Sequence, residues 1–137
     1  LLRHPRLPDA RRESARVLEL VGLADRADVK AADLNVAGQK RVELARALAT
    51  EPRMLLLDEV AGGLNPAEAI ALAEILRGIH AAGVTLIIVE HVLEVVMRLA
   101  QRVLVLNFGQ MIAEGAPQEI VRNPAVIEAY LGRKHRA

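Results

Sequence analysis

Met54-Leu55-Leu56-Leu57 is an unbroken apolar run, set between the turn signal Glu51-Pro52 and the adjacent carboxylates Asp58-Glu59. A short run without polar alternation suits a strand covered on both faces of a parallel sheet. The sequence therefore predicts a strand over 54–58, buried on both sides, with Asp58 and Glu59 at its carboxyl end. In open α/β sheets that edge is where ligands bind. Two readings of the acid pair stand side by side. In one, a carboxylate lies near a metal ion and its neighbour polarises a water. In the other, the strand ends in two solvated turn acids.

The pattern around this run alternates helix and strand. Asp9 is placed as the N-cap of a helix over about 10–21, with Ala15, Leu18 and Val21 inward and Gly22 closing it. Residues 1–8 read as a loop and 23–33 as a polar connection. A second helix is expected from about Val36 to Thr50, with Val42, Leu44, Ala45 and Leu48 on one side and Lys40, Arg41, Glu43 and Arg46 on the other. Asn65-Pro66 starts a third helix, proline at its first position, ending near His80 before Gly83. Val84 to Val89 is a second apolar run, ending in Glu90-His91. A helix over about 92–100, strands over 103–107 and 111–114, and short helices over 117–122 and 124–131 complete the chain. This alternation is that of an α/β domain.

Composition narrows the function. With 137 residues and 53% hydrophobic content the chain can bury a real core. A net charge of +1 offers no broad field for nucleic acid or an anionic membrane. Phe108 and Tyr130 are the only aromatics, which excludes a base-stacking platform. Cysteine is absent, so there is neither a disulfide framework nor a thiolate metal site. No apolar run approaches the roughly 20 residues of a membrane-spanning helix. His4, His80 and His135 are expected to be solvated, and 133–136 reads as a basic tail.

Parallel neighbouring strands joined by crossovers present their carboxyl ends on one edge. Asp58, Glu59 and His91 would then share a site suited to phosphoryl transfer to water. Asp58 would contact Mg²⁺, Glu59 would orient or deprotonate the water, and His91 would donate to the developing phosphate charge.

These residues carry a resemblance. Leu34-Asn35-Val36-Ala37-Gly38-Gln39 and the following helix to Leu48 resemble the signature motif and signature helix of ATP-binding cassette (ABC) ATPases. Met54 to Glu59 is similar to their Walker B strand and catalytic glutamate. Gly63-Leu64-Asn65 sits where their D-loop sits, and His91 where their switch histidine sits. Residues 112–132 resemble the C-terminal segment of subunits serving branched-chain amino acid importers. The resemblance implies a nucleotide-binding subunit that drives import by hydrolysing ATP with Mg²⁺ on the cytoplasmic membrane face. Its implied partners are a second ATP-binding subunit, transmembrane permease subunits and, indirectly, a solute-binding protein; it implies no nucleic acid. Asn35, Val36, Ala37, Gly38 and Asn65 are the implied nucleotide contacts. ATP is held between two subunits in the family, so 35–38 should be solvent-exposed and apart from Glu59 in one chain. The implied parts are the end of a helical subdomain at 1–33, the signature, Walker B and switch core at 34–110, and the C-terminal segment at 111–137.

Two departures from the family pattern stand out. The signature L-S-G-G-Q aligns without a gap on Leu34-Asn35-Val36-Ala37-Gly38, placing side chains where two glycines admit a phosphate. A one-residue shift would restore Ala37-Gly38-Gln39 at the cost of an insertion. The D-loop aspartate is Asn65, which keeps hydrogen bonding and removes charge. No G-x-x-x-x-G-K-[ST] phosphate cradle occurs in the chain, and Leu1 is not an initiator methionine. The reading is therefore the C-terminal portion of an ATPase subunit. The competing reading is a stand-alone remnant that docks on a transporter or regulates it without hydrolysis.

Overall fold

Helix α1 spans Leu7–Leu20 and so starts earlier than the sequence predicts. Pro8 is tolerated in a first turn, where its missing N–H has no intrahelical use. Asp9 accordingly lies inside the helix rather than capping it, paired with Arg12 at 3.1 Å. Val17 and Val21 are the residues buried here, while Ala15 is exposed and Leu18 half-buried. On the outer surface Arg16 hydrogen-bonds the Glu13 carboxylate and holds it below the usual carboxylate range. The computed structural model describes residues 7–131, in two units, Leu1–Glu90 and His91–Ala137. The expectations for His4, His135 and the basic tail lie outside the described residues.

In the first unit the polar connection after Gly22 contains two single 3₁₀ turns, Ala24–Arg26 and Ala31–Asp33. Helix α2 follows at Val36–Leu48, burying Leu44, Ala45 and Leu48 on the predicted face. Strand β1, Met54–Asp58, leads through helix α3, Pro66–Ala81, to strand β2, Thr85–Val89. Ala69, Leu72, Ala73, Leu76 and Ile79 form the inner stripe of α3, recurring at helical spacing. The strands pair in parallel from Met54↔Thr85 to Asp58↔Val89.

Burial on both faces of these strands, which the apolar runs imply, is not what the unit shows. Leu55 and Leu57 are 6% and 9% exposed, whereas Leu56 between them is 74% exposed. Strand side chains alternate between faces, and the helices cover only one. Leu44 and Ala47 of α2, Leu57 of β1, and Leu72 and Leu76 of α3 line a common cleft of about 250 Å³. The opposite face carries Leu56, Ile87 and Val89, all exposed.

The second unit runs through helix α4, Leu93–Leu99, and an antiparallel pair, β3 at Val103–Asn107 and β4 at Gln110–Gly115. Phe108 and Gly109 turn the chain with φ of 47° and 77°. Positive φ at both central residues is the geometry that matches strand twist in a tight hairpin. A bulge shifts the register between Val105 and Leu106. Helices α5, Pro117–Ile120, and α6, Pro124–Leu131, follow. Val95, Ile120 and Val126 are buried in this unit, while Leu104 and Leu106 of β3 are exposed, so β3 also shows one covered face and not two.

Candidate functional site

Strand β1 delivers its acids to the carboxyl edge by anchoring the residues before them. Leu55 and Leu57 point into the helical side of the sheet, and the pairing of Asp58 with Val89 fixes the strand end. The Glu59 N–H donates to the Val89 carbonyl at 2.9 Å, extending the ladder by one bond. The backbone then leaves the strand with Glu59 at φ 46°. A non-glycine residue in this left-handed region is uncommon, and such conformations cost about 1–3 kcal/mol. Surrounding bonds hold it. The Glu59 carbonyl accepts from the Gly62 N–H at 3.0 Å and from Lys40 Nζ of α2 at 3.3 Å. The Glu90 carboxylate reaches back from the end of β2 and accepts the Ala61 N–H at 2.7 Å. Asp58 and Glu59 are both exposed beside this fixed turn.

The start of α2 is organised by Asn35. Its Oδ1 accepts the Gly38 N–H at 2.9 Å, the bond expected of an N-cap. Asn35 and Val36 are exposed as expected, but Ala37 and Gly38 are buried. The reason at Gly38 is packing: a Cβ there would come within 2.9 Å of the Leu34 Cβ. Glycine in this position makes room for the chain entering the helix, and its N–H is already used by Asn35. Asn35, Ala37, Gly38 and Arg41 line a cleft of about 400 Å³ together with Arg26 and Glu68.

Asn65 caps α3 in the same manner, accepting the Glu68 N–H at 3.0 Å, while Glu68 Oε2 accepts the Asn65 N–H at 3.1 Å. This is a reciprocal capping box. Glu68 Oε1 also accepts from Asn35 Nδ2 at 3.3 Å.

The first unit thus groups Asp58 and Glu59 with Glu90 and Lys40, and Asn35 with Asn65 through Glu68. His91 opens the second unit, where its carbonyl accepts the Tyr130 hydroxyl at 2.9 Å. Lys40, Glu68, Glu90 and Tyr130 have no assigned role in the sequence pattern. The spacing Asn65-x-x-Glu68 before an apolar helix is a usable signal for Glu68. The other three have no local signature, because their partners lie far along the chain.

Among the described residues no cluster of three or more His, Cys, Asp or Glu side chains forms a metal cage. Asp58 and Glu59 are exposed carboxylates, and Mg²⁺ is an ion that keeps several waters and takes one or two carboxylates.

Comparison with known proteins gives the family of the chain. A family model described as "ABC transporter" matches residues 4–62, and one described as "Branched-chain amino acid ATP-binding cassette transporter" matches residues 110–136. The high-affinity branched-chain amino acid transport ATP-binding protein LivG of Salmonella typhimurium is 43% identical over 118 residues, 84% of this chain and 46% of the relative. The corresponding BraF protein of Pseudomonas aeruginosa is 42% identical over 127 residues, 90% of this chain and 49% of the relative. The chain therefore spans about half the length of the curated relatives it matches. The crystal structure of the ADP conformation of MJ1267, an ATP-binding cassette of an ABC transporter, superposes with a TM-score of 0.85 and 32% identity, covering 94% of this chain and 52% of that one. By sequence and by fold, the chain belongs to the ABC transporter family.

Proposed function

We propose that this chain supplies the signature, Walker B and switch elements of an ATP-hydrolysing importer subunit for branched-chain amino acids or related solutes. The observation that carries the reading is the end of β1. Two exposed carboxylates stand there beside a left-handed turn held by Val89, Lys40 and Glu90. Such a conformation persists only where its surroundings over-determine it, and such residues cluster at active sites.

In this reading Asp58 holds Mg²⁺, directly or through water. The ion, when bound with the nucleotide, neutralises charge on the phosphates. Glu59 orients the attacking water and takes its proton, and His91 donates to the charge that develops on the γ-phosphate. Asn35 and Val36, the exposed part of the signature, face the nucleotide of a second ATP-binding subunit, with Ala37 and Gly38 supporting them and Asn65 at the D-loop alongside. Residues 1–33 serve as the end of the helical subdomain, 34–110 as the catalytic core and 111–137 as the importer-specific segment. The subunit works peripherally on the cytoplasmic membrane face with permease partners; no described helix is long and apolar enough to cross a membrane.

The second reading, a non-catalytic docking or regulatory module, draws on the side chains of Val36 and Ala37 and on the engaged Gly38 N–H. Glu59→Gln in the assembled subunit separates the two. Loss of a positioned base lowers turnover by about 10²–10⁴-fold while leaving nucleotide binding intact. Phosphate release by the variant within a factor of about ten of wild type refutes Glu59 as base, and absence of nucleotide-dependent turnover in the wild type supports the module.

A further inference from the structure

Asn35 stands where the ungapped reading places the family's signature serine, and its side chain accepts and donates through two different atoms. Its Oδ1 is committed to the Gly38 N–H at 2.9 Å, which orients the amide and leaves Nδ2 as a donor. That donor points to Glu68 Oε1 at 3.3 Å. The other carboxylate oxygen, Oε2, accepts the Asn65 N–H at 3.1 Å. One carboxylate therefore spans the loop before α2 and the loop before α3. The Gly63 backbone runs near Val36, since a Cβ added at Gly63 would lie 3.7 Å from Val36 Cγ1.

We propose that Glu68 is a positioning residue that clasps the signature loop to the D-loop of the same subunit through Asn35. The proposal rests on the reading of 35–38 and Asn65 as nucleotide-facing. A phosphate that displaces Asn35 pulls on Oε1 of a carboxylate whose Oε2 holds the N-cap residue at the end of the D-loop. The two loops then respond as one element. An aspartate at position 35 caps α2 equally well but has no donor to offer, so the link depends on the asparagine amide.

The test is a double-mutant cycle of Glu68→Gln, Asn35→Asp and the pair, in the assembled ATPase. Glutamine at 68 still closes the capping box through its one carbonyl oxygen, and its amide then meets the Asn35 amide donor to donor. Aspartate at 35 keeps the α2 cap and removes the donor. Each single change is expected to lower ATP turnover by about threefold to tenfold, with the pair no lower than either alone. Unfolding midpoints stay together across the cycle, because both caps survive; midpoints falling in step with the rates identify a merely structural role and overturn the proposal. Independent of catalysis, hydrogen exchange of the Asn35 side-chain amide, read by NMR, is faster in Glu68→Gln than in wild type. An unchanged exchange rate, or single effects that multiply in the pair, also overturns it. Should the wild type turn over no ATP, the hydrolytic reading fails by itself and the amide exchange still decides the clasp.

Discussion

Removing the Glu90 carboxylate tests how the turn after β1 is held. The bond from the Ala61 N–H to Glu90 Oε1 is 2.7 Å long, in the range of charge-assisted bonds. Ala61 is only 3% exposed, so water has little access to the freed N–H. Hydrogen bonds to charged groups contribute about 1.5–3 kcal/mol, and a stranded buried donor costs about 1–3 kcal/mol. Glu90→Ala should therefore destabilise the turn by about 2 kcal/mol. Glu90→Gln keeps an acceptor oxygen and should cost less than half of that, about 0.5–1 kcal/mol. Equilibrium urea unfolding of the protein reads the global part. Amide exchange at Ala61 reads the local part, where about 2 kcal/mol corresponds to acceleration by roughly thirtyfold. Turnover should fall in the same order, since the Glu59 carbonyl and the Ala61 N–H belong to one loop. Equal effects of alanine and glutamine, or an Ala61 amide that exchanges as in wild type, refute the assignment of Glu90 as the tether.

Two further outcomes follow from the packing and the hairpin. Leu76 is 1% exposed in the inner stripe of α3, so Leu76→Ala should cost about 2–5 kcal/mol in urea unfolding. Phe108 is 99% exposed at φ 47°, a conformation that asparagine adopts more readily. Phe108→Asn, which places an Asn-Gly pair in the turn, should stabilise by about 0.5–1 kcal/mol, measured by the same unfolding.

The elements are legible because their signals are local. Asn35 and Asn65 cap the helices they precede, and the stripes Leu44-Ala45-Leu48 and Ala73-Leu76-Ile79 face inward at the expected period. Uninterrupted apolarity predicts two covered faces, and this chain, which spans about half the length of its relatives, covers one of them. A run such as Met54 to Leu57 reports that side chains are hydrophobic, not which face a helix reaches, and Leu56 is exposed where Leu55 and Leu57 are not. The start of α1 slips because proline reads as a breaker, whereas the first helical turn accepts it. In the sequence, Asp58, Glu59 and His91 stand out by chemistry and motif order. Lys40, Glu90 and Tyr130 act through a carbonyl, an N–H and a carbonyl contributed by residues distant in the chain. No pattern in a single sequence announces such pairings.

The two strand pairs also set two different clocks. Asn107 and Gln110 meet across a two-residue turn, so β3 and β4 can close as soon as those residues are synthesised, on the scale of about 1–10 μs for a hairpin. Met54 cannot meet Thr85 until the whole of α3 lies between them in usable form, because a parallel pair requires a crossover. Closing this gap costs more loop entropy than closing the hairpin, and a formed α3 shortens the distance to be closed. The edge that carries Asp58 and Glu59 therefore depends on the longer-range pairing of its unit, across a helix that the Asn65–Glu68 capping box starts.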